Sequence, residues 1–158
     1  MDSELKMRPV KILLVEDNPA HSDLAVEALQ DAKMHVDITV VDTGEKALAY
    51  LYKEKDYENE INPDLILLDL NLPGIDGREV LFRIKEDPHL KCLPVVILTT
   101  SEAEEDILST YNHYANCYIK KPVNFDQFYN SIQQLTDFWF TLVKLPTNSC
   151  DAHEQHQD

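Results

Sequence analysis

Apolar residues fall along this chain in short continuous runs that alternate with stretches of helical spacing. The segments Val10 to Val15, Asp64 to Leu68 and Pro94 to Leu98 carry little polarity beyond their first residues. Runs of this kind, with no polar face to alternate toward, fit strands buried on both sides. Between them lie helical signals. Asn18-Pro19 offers an N-cap followed by proline at the first helical position, opening a helix to about Ala32 with Leu24, Ala25, Ala28 and Leu29 on its inner face. Val36 to Val41 is a second strand, and Thr43 caps a second helix carrying Ala47, Leu48 and Leu51. Lys53 to Asn62 is a charged connector without periodicity. Pro73-Gly74 forces a turn, after which Asp76 to Glu86 reads as a third helix with Val80, Leu81 and Ile84 inward. Ser101 and Glu104 form a capping box opening a fourth helix toward Tyr111. Cys117 to Ile119 is a short fifth strand, and Asn124 with Gln127 starts a last helix reaching about Lys144. Five strands alternating with five helices predict an α/β fold, a doubly wound five-stranded parallel sheet covered on both faces. The expected organisation is an N-terminal extension over residues 1–7, one domain over 8–146 and a polar, disordered tail over 147–158.

Composition narrows the function. A formal charge of −15 on 158 residues disfavours nucleic-acid binding, since phosphate backbones select the opposite sign; a metal ion or a basic patch on a partner protein suits it better. No run approaches the ~18 apolar residues of a membrane span, and Met1 to Pro9 holds no apolar stretch fit for a signal peptide, so the expected location is cytoplasmic. Three cysteines (Cys92, Cys117, Cys150) without CxxC spacing fit a reducing compartment and thiols of no special role. Only three glycines are present, so no glycine-rich phosphate loop or dinucleotide fingerprint is available. The cluster Cys150, His153, Glu154 and His156 lacks the HExxH spacing and sits in the tail, where it offers no preorganised metal site.

The candidate chemistry lies at the strand ends. In open α/β sheets, ligands bind beyond the carboxyl ends of the strands. The first strand delivers Glu16 and Asp17 there, the third Asp69, the fourth Thr99 and the fifth Lys121. Taken singly, each has an ordinary structural reading: Asp17 as a helix-start residue, Asp69 as a turn cap before Pro-Gly, Thr99 as a strand-end threonine, Lys121 as a surface lysine. Together they fall at the ends of four different strands. Three acids brought together repel unless a cation shares them, and hard oxygen ligands suit Mg2+. A hydroxyl and an ammonium beside such a carboxylate could hold the oxygens of a phosphoryl group carried on Asp69 as an acyl phosphate.

These residues carry a family resemblance. Glu16-Asp17, the stretch Asp69-Leu-Asn-Leu-Pro-Gly-Ile-Asp-Gly77, Thr99-Thr100-Ser101 and Lys121-Pro122 resemble the receiver domain of two-component response regulators over about residues 8 to 145. The resemblance implies a flavodoxin-like (βα)5 fold of strand order 2-1-3-4-5. It implies that Asp69 accepts a phosphoryl group from a phosphohistidine on a sensor histidine kinase. Glu16, Asp17, Asp69 and the backbone carbonyl of Asn71 would surround Mg2+. Thr99 and Lys121 would bind the phosphoryl, and Tyr118 would be the switch aromatic that follows Thr99. A narrower likeness, through Leu98-Thr99-Thr100-Ser101, Asn116 to Pro122, Phe138-Trp139 and Leu145-Pro146, is to the stand-alone regulators paired with cyanobacterial and other bacterial phytochromes. Thr100 stands where such proteins more often carry alanine or glycine, and its bulk is expected to restrict access to Asp69.

The last helix bears on partners. Phe125, Phe128, Ile132, Leu135, Trp139 and Leu142 recur at helical spacing, with Tyr129 and Phe140 to one side of that stripe and Phe138 to the other. The arc is roughly 200° wide, where ~100° suffices to face one core. The excess predicts self-association through the last helix and the neighbouring strand, with Tyr129, Phe138 and Phe140 as the aromatic residues, and the resemblance implies a homodimer through the face made by the fourth helix, the fifth strand and the last helix. The favoured reading is thus a single-domain phosphoacceptor that signals by a conformational change of that face, not an enzyme that turns over a substrate. Two alternatives stand beside it. One is an adaptor pseudo-receiver that is never phosphorylated. The other is a phosphatase of the haloacid-dehalogenase type, against which Asn71 counts, because that chemistry needs a second aspartate two positions after the nucleophile.

Overall fold

The computed structural model describes residues 9–31, 35–99, 117–120 and 125–142, with side chains for 9–31, 35–98 and 126–137. The elements are β1 (Val10–Val15), α1 (Pro19–Gln30), β2 (Val36–Val41), α2 (Gly44–Leu51), a 3-10 turn (Lys55–Tyr57), β3 (Leu65–Asp69), α3 (Gly77–Glu86), β4 (Val95–Thr99), β5 (Cys117–Lys120) and α4 (Phe125–Leu142). The five strands form one parallel sheet of order β2-β1-β3-β4-β5. Both the predicted class and the predicted order hold. The expected helix over 101–111, the extension over 1–7 and the tail over 147–158 lie outside the described residues.

Strand alternation divides the core in two. Leu13, Val15, Ile66 and Leu68 point to the layer of α2 and α3, meeting Leu48, Leu51, Val80 and Ile84. Ile12, Leu14, Leu65 and Leu67 point to the other face, against Leu24, Ala28, Phe128 and Ile132 of α1 and α4. A strand sandwiched this way has no solvent side, which is why its sequence shows no alternation. The order β2-β1-β3 puts the switch in winding direction between β1 and β3. A crevice therefore opens beyond the ends of these two strands.

Each helix start is built from short-range chemistry. Asn18 Oδ1 accepts the amides of Ala20 at 2.9 Å and His21 at 3.3 Å. Thr43 Oγ1 accepts that of Lys46 at 3.0 Å, and Asp76 Oδ1 that of Arg78 at 2.7 Å. These caps satisfy amides that the first helical turn leaves without partners.

The opposite edge of the sheet is closed by a polar network. Lys11 lies buried at the start of β1, its Nζ 3.3 Å from Asp37 Oδ2 and 3.3 Å from Glu60 Oε1. Tyr50, fully buried, donates its hydroxyl to Glu60 Oε1 and to the Ile61 carbonyl, and its ring meets that of Tyr57 at 5.5 Å. Burial works to lower the Lys11 pKa, but Tyr50, Asp37 and Glu60 outweigh it and hold the ammonium above its ordinary range. The connector that looked featureless in sequence is thereby fastened to the sheet, and within it Lys53 and Lys55 take left-handed backbone angles, φ 59° and 49°. In the last turn of α3, Lys85 Nζ donates to the carbonyls of Lys91 at 2.9 Å and Leu93 at 2.7 Å in the segment that follows. Burial lowers its pKa to about 8.

Two expectations change. Cys92 is disulfide-bonded, so the picture of thiols without a role does not hold for it. Tyr129, expected on a dimer face, is partly buried against the α1 layer, its hydroxyl donating to Asp31 Oδ2 just past the end of α1. The extra apolar arc at Tyr129 is thus used in part within the fold. Phe138 and Phe140 lie outside the described side chains. Within α4, Thr136 is buried although polar, its hydroxyl donating to the carbonyls of Ile132 and Gln133.

Candidate functional site

Three of the predicted acids meet at the carboxyl edge of the sheet. Glu16 directly follows β1 and Asp69 ends β3; these strands are parallel neighbours, with Val15 opposite Leu68. Glu16, Asp17 and Asp69 each present a carboxylate oxygen, and these oxygens all lie within 4.8 Å of one another. Glu16 and Asp69 are each 2 % exposed, whereas Asp17 faces solvent. The site is therefore a shallow well with two acids in its floor and one at its rim.

Backbone amides orient the two buried carboxylates. Asn18 N–H donates to Glu16 Oε2 at 3.2 Å, and Asn71 N–H donates to Asp69 Oδ1 at 3.1 Å. The Glu16 amide in turn donates to the Val41 carbonyl at 3.0 Å, tying the end of β1 to the end of β2. Past Asp69 the chain stays pinned: the Leu70 amide donates to the Leu98 carbonyl, and the Gly77 amide to the Leu70 carbonyl at 3.1 Å. Gly77 is required here for space. A Cβ on it would lie 2.3 Å from the Asp69 carbonyl oxygen and 2.6 Å from Leu70 Cα, so α3 begins in direct backbone contact with the strand end that bears the carboxylate.

The remaining predicted residues are placed by register. Asp69 pairs with Leu98, so Thr99 ends β4 one residue further along; Thr99 pairs with Lys120, and Tyr118 with Ile97. The Thr99 and Tyr118 side chains and all of Lys121 lie outside what is described, as does Thr100. Asn71 sits two residues past Asp69 in the loop leading to α3. Sequence reasoning missed Glu45, at the start of α2, whose Oε2 accepts the Ile75 amide of that same loop at 3.2 Å. Nothing in the spacing of Gly44-Glu45 announces the contact, because it joins elements thirty positions apart.

Chemically, three carboxylates so close repel one another strongly in a partly buried setting. Hard oxygen donors held this near to each other, one of them open to solvent, fit a small divalent cation that keeps several waters. The site so built is that of a receiver: residues 12–133 match the response regulator receiver domain, and the chain belongs to that family. It is 44 % identical over 138 residues to the response regulator Rcp1 of Synechocystis sp., covering 87 % of this chain and 94 % of that protein. Its structure is similar to the crystal structure of the phosphorylated cyanobacterial phytochrome response regulator RcpA, with a TM-score of 0.82 and 47 % identity over 88 % of this chain and 99 % of that one. The Mn(2+)-bound form of Rcp1 is likewise similar, with a TM-score of 0.82 and 44 % identity over 87 % of this chain and 99 % of that one. The family is one of signalling modules, and among the described residues no helix is long and apolar enough to cross a membrane.

Proposed function

We propose that this chain is a phosphoacceptor response regulator, charged on Asp69 by a sensor histidine kinase. The observation that carries the reading is the convergence of Glu16, Asp17 and Asp69 oxygens within 4.8 Å at the ends of adjacent strands. In the transfer, an oxygen of the Asp69 carboxylate attacks the phosphorus of a phosphohistidine. A P–O bond forms as the P–N bond breaks, and the released imidazole takes a proton. Asn71 N–H donates to Oδ1 and so helps to orient the carboxylate for that attack. Glu16, Asp17, Asp69 and the Asn71 carbonyl would hold Mg2+, which when bound supplies positive charge to the transferring oxygens. Thr99 and Lys121 would bind the phosphoryl group, with Tyr118 as the switch residue beside Thr99.

Its relatives support a phytochrome-type kinase as the donor, since RcpA is a phytochrome response regulator and was crystallised phosphorylated. Output would pass through the face formed by segment 101–111, β5 and α4, by altered affinity for a partner or a second copy. The homodimer reading rests on Phe138 and Phe140 together with Tyr129, which α1 covers only in part. The acidic charge supports protein partners over nucleic acid, and membership of the receiver family supports a cytoplasmic location. The deciding experiment incubates the wild type and Asp69→Asn with a phosphorylated phytochrome kinase and Mg2+. We expect one phosphoryl group on the wild type and none on the variant. Equal labelling of both, or of neither by any histidine kinase, refutes the assignment, the latter outcome favouring a pseudo-receiver.

A further inference from the structure

Segment 41–45 touches both halves of the acid site. At one end, the Val41 carbonyl accepts the Glu16 amide at 3.0 Å. At the other, Glu45 Oε2 accepts the Ile75 amide at 3.2 Å. The second junction is tightly fitted. Gly74 takes φ +70°, and a Cβ on it would lie 2.6 Å from Glu45 Oε2 and 3.0 Å from Oε1. The carboxylate thus lies close over the Gly74 backbone. A Cβ on Gly44 would in turn lie 2.7 Å from the Ile75 carbonyl oxygen. Gly44 lets the start of α2 approach the Ile75 backbone, and Gly74 leaves room for the Glu45 carboxylate that closes the joint.

That loop is fixed at its near end by Asn71 N–H on Asp69 Oδ1 and at its exit by Gly77 N–H on the Leu70 carbonyl. Between those points Glu45 supplies a side-chain bond from another element. We propose that Glu45 is a positioning residue: its carboxylate latches the Ile75 amide and so fixes the loop on which Asn71 offers its carbonyl to the cation. This inference rests on the cation reading of the acid cluster. What the latch requires is a hydrogen-bond acceptor of glutamate length, so glutamine should replace it and alanine should not.

The test measures Mg2+ binding by calorimetry and Ile75 amide hydrogen exchange by NMR, on the full chain as wild type, Glu45→Gln and Glu45→Ala. We expect Glu45→Ala to weaken Mg2+ binding roughly 3- to 10-fold, less than the ~10–100-fold seen where an outer partner holds a ligand directly. Its Ile75 amide should exchange faster. Glu45→Gln should bind within about twofold of wild type with Ile75 still protected, a rescue that a long-range charge effect would not give. Equal weakening in both variants with Ile75 protected means that Glu45 acts by charge alone and overturns the latch. So does unchanged Mg2+ binding in Glu45→Ala. A wild type that ignores Mg2+ refutes the cation reading instead; loss of Ile75 protection in Glu45→Ala would still uphold the hydrogen bond, and unchanged exchange overturns it in either case.

Discussion

Gly77→Ala is the smallest change that sets packing at the site against helix propensity. Gly77 opens α3, and among the described residues only Gly74 of the glycines has a positive φ, so alanine is allowed there by backbone angle. Propensity favours the substitution by up to about 1 kcal/mol, less at a helix's first position than in its interior. Space opposes it. The new Cβ would meet the Asp69 carbonyl oxygen at 2.3 Å, Leu70 Cα at 2.6 Å and the Asp69 carbonyl carbon at 3.1 Å, all backbone atoms of the strand end. Reaching the ~3.5 Å at which such atoms rest requires α3 or Asp69 to retreat by about 1 Å. Overpacking of this kind costs typically ~1–3 kcal/mol, so the steric loss exceeds the propensity gain and the variant should be destabilised by about 1–2 kcal/mol. Urea unfolding reads this as a lower midpoint at unchanged slope. Gly44→Ala is the internal comparison, since its Cβ meets one backbone oxygen at 2.7 Å and a valine methyl at 2.8 Å, the latter better able to yield; it should lose less. A Gly77→Ala protein as stable as wild type, or less affected than Gly44→Ala, would refute the steric account of how α3 is seated on Asp69.

Other perturbations probe separate features. Asn18→Ala removes the acceptor for two amides at the start of α1 and should cost about 1 kcal/mol in urea unfolding, whereas Asn18→Asp should retain most of the cap. Lys85 is held at a pKa of about 8 by burial against 10.5 when unfolded; between those values the unfolded chain binds the extra proton, so wild-type stability should rise with pH across that window. The shift corresponds to at most about 3 kcal/mol, reduced to roughly 1–2 kcal/mol by solvent at the partly exposed side chain, and Lys85→Met should flatten the rise. Lys11 has the opposite sign, its raised pKa making its contribution present below 10.5 and lost above the folded value, so an equal slope in wild type and Lys85→Met would show that Lys85 is not the source. Asp17→Asn should raise the melting temperature of the ion-free protein by relieving about 1 kcal/mol of repulsion while abolishing stabilisation by added Mg2+; a variant still stabilised by Mg2+ contradicts the shared-cation assignment.

What the sequence made legible is what nearest neighbours along the chain determine. Buried strands announced themselves because residues such as Ile12 to Val15 and Leu65 to Leu68 face apolar layers on both sides and need no polar positions. Caps at Asn18 and Thr43 were readable because donor and acceptor lie within three residues of each other, whereas Asp76, read as the first residue of its helix, is the cap of α3. The acid cluster was readable at one remove: each carboxylate ends a strand, and parallel strands all end on the same edge. The Lys11–Tyr50–Glu60 network and the Glu45–Ile75 bond were not, since each joins positions ten to forty-nine apart whose pairing depends on the finished fold. Tyr129 shows a further limit. The width of an apolar arc says that residues seek cover, but not that α1 supplies part of it at Tyr129.

The two edges of the sheet divide the electrostatic burden between them. At the amino edge, Lys11 finds Asp37 and Glu60 within 3.3 Å, so charge there is compensated within the chain and holds the connector down. At the carboxyl edge, the described side chains set three carboxylates against one another, held in place by backbone amides that donate to Glu16 and Asp69. Those amides orient the acids, and the strand ends that carry them are anchored in a core buried on both faces. A site built this way is poised to gain stability from whatever positive charge enters it. It is also poised to respond when further negative charge is added beside Asp69, because α3 is seated on Asp69 and Leu70 and α2 on Gly74 and Ile75 of the loop between them. Motion of the carboxylate end of β3 by even a fraction of an ångström must then be taken up by α3 through Gly77 and by α2 through Glu45, the structural requirement for a local charge change to be felt at a distance.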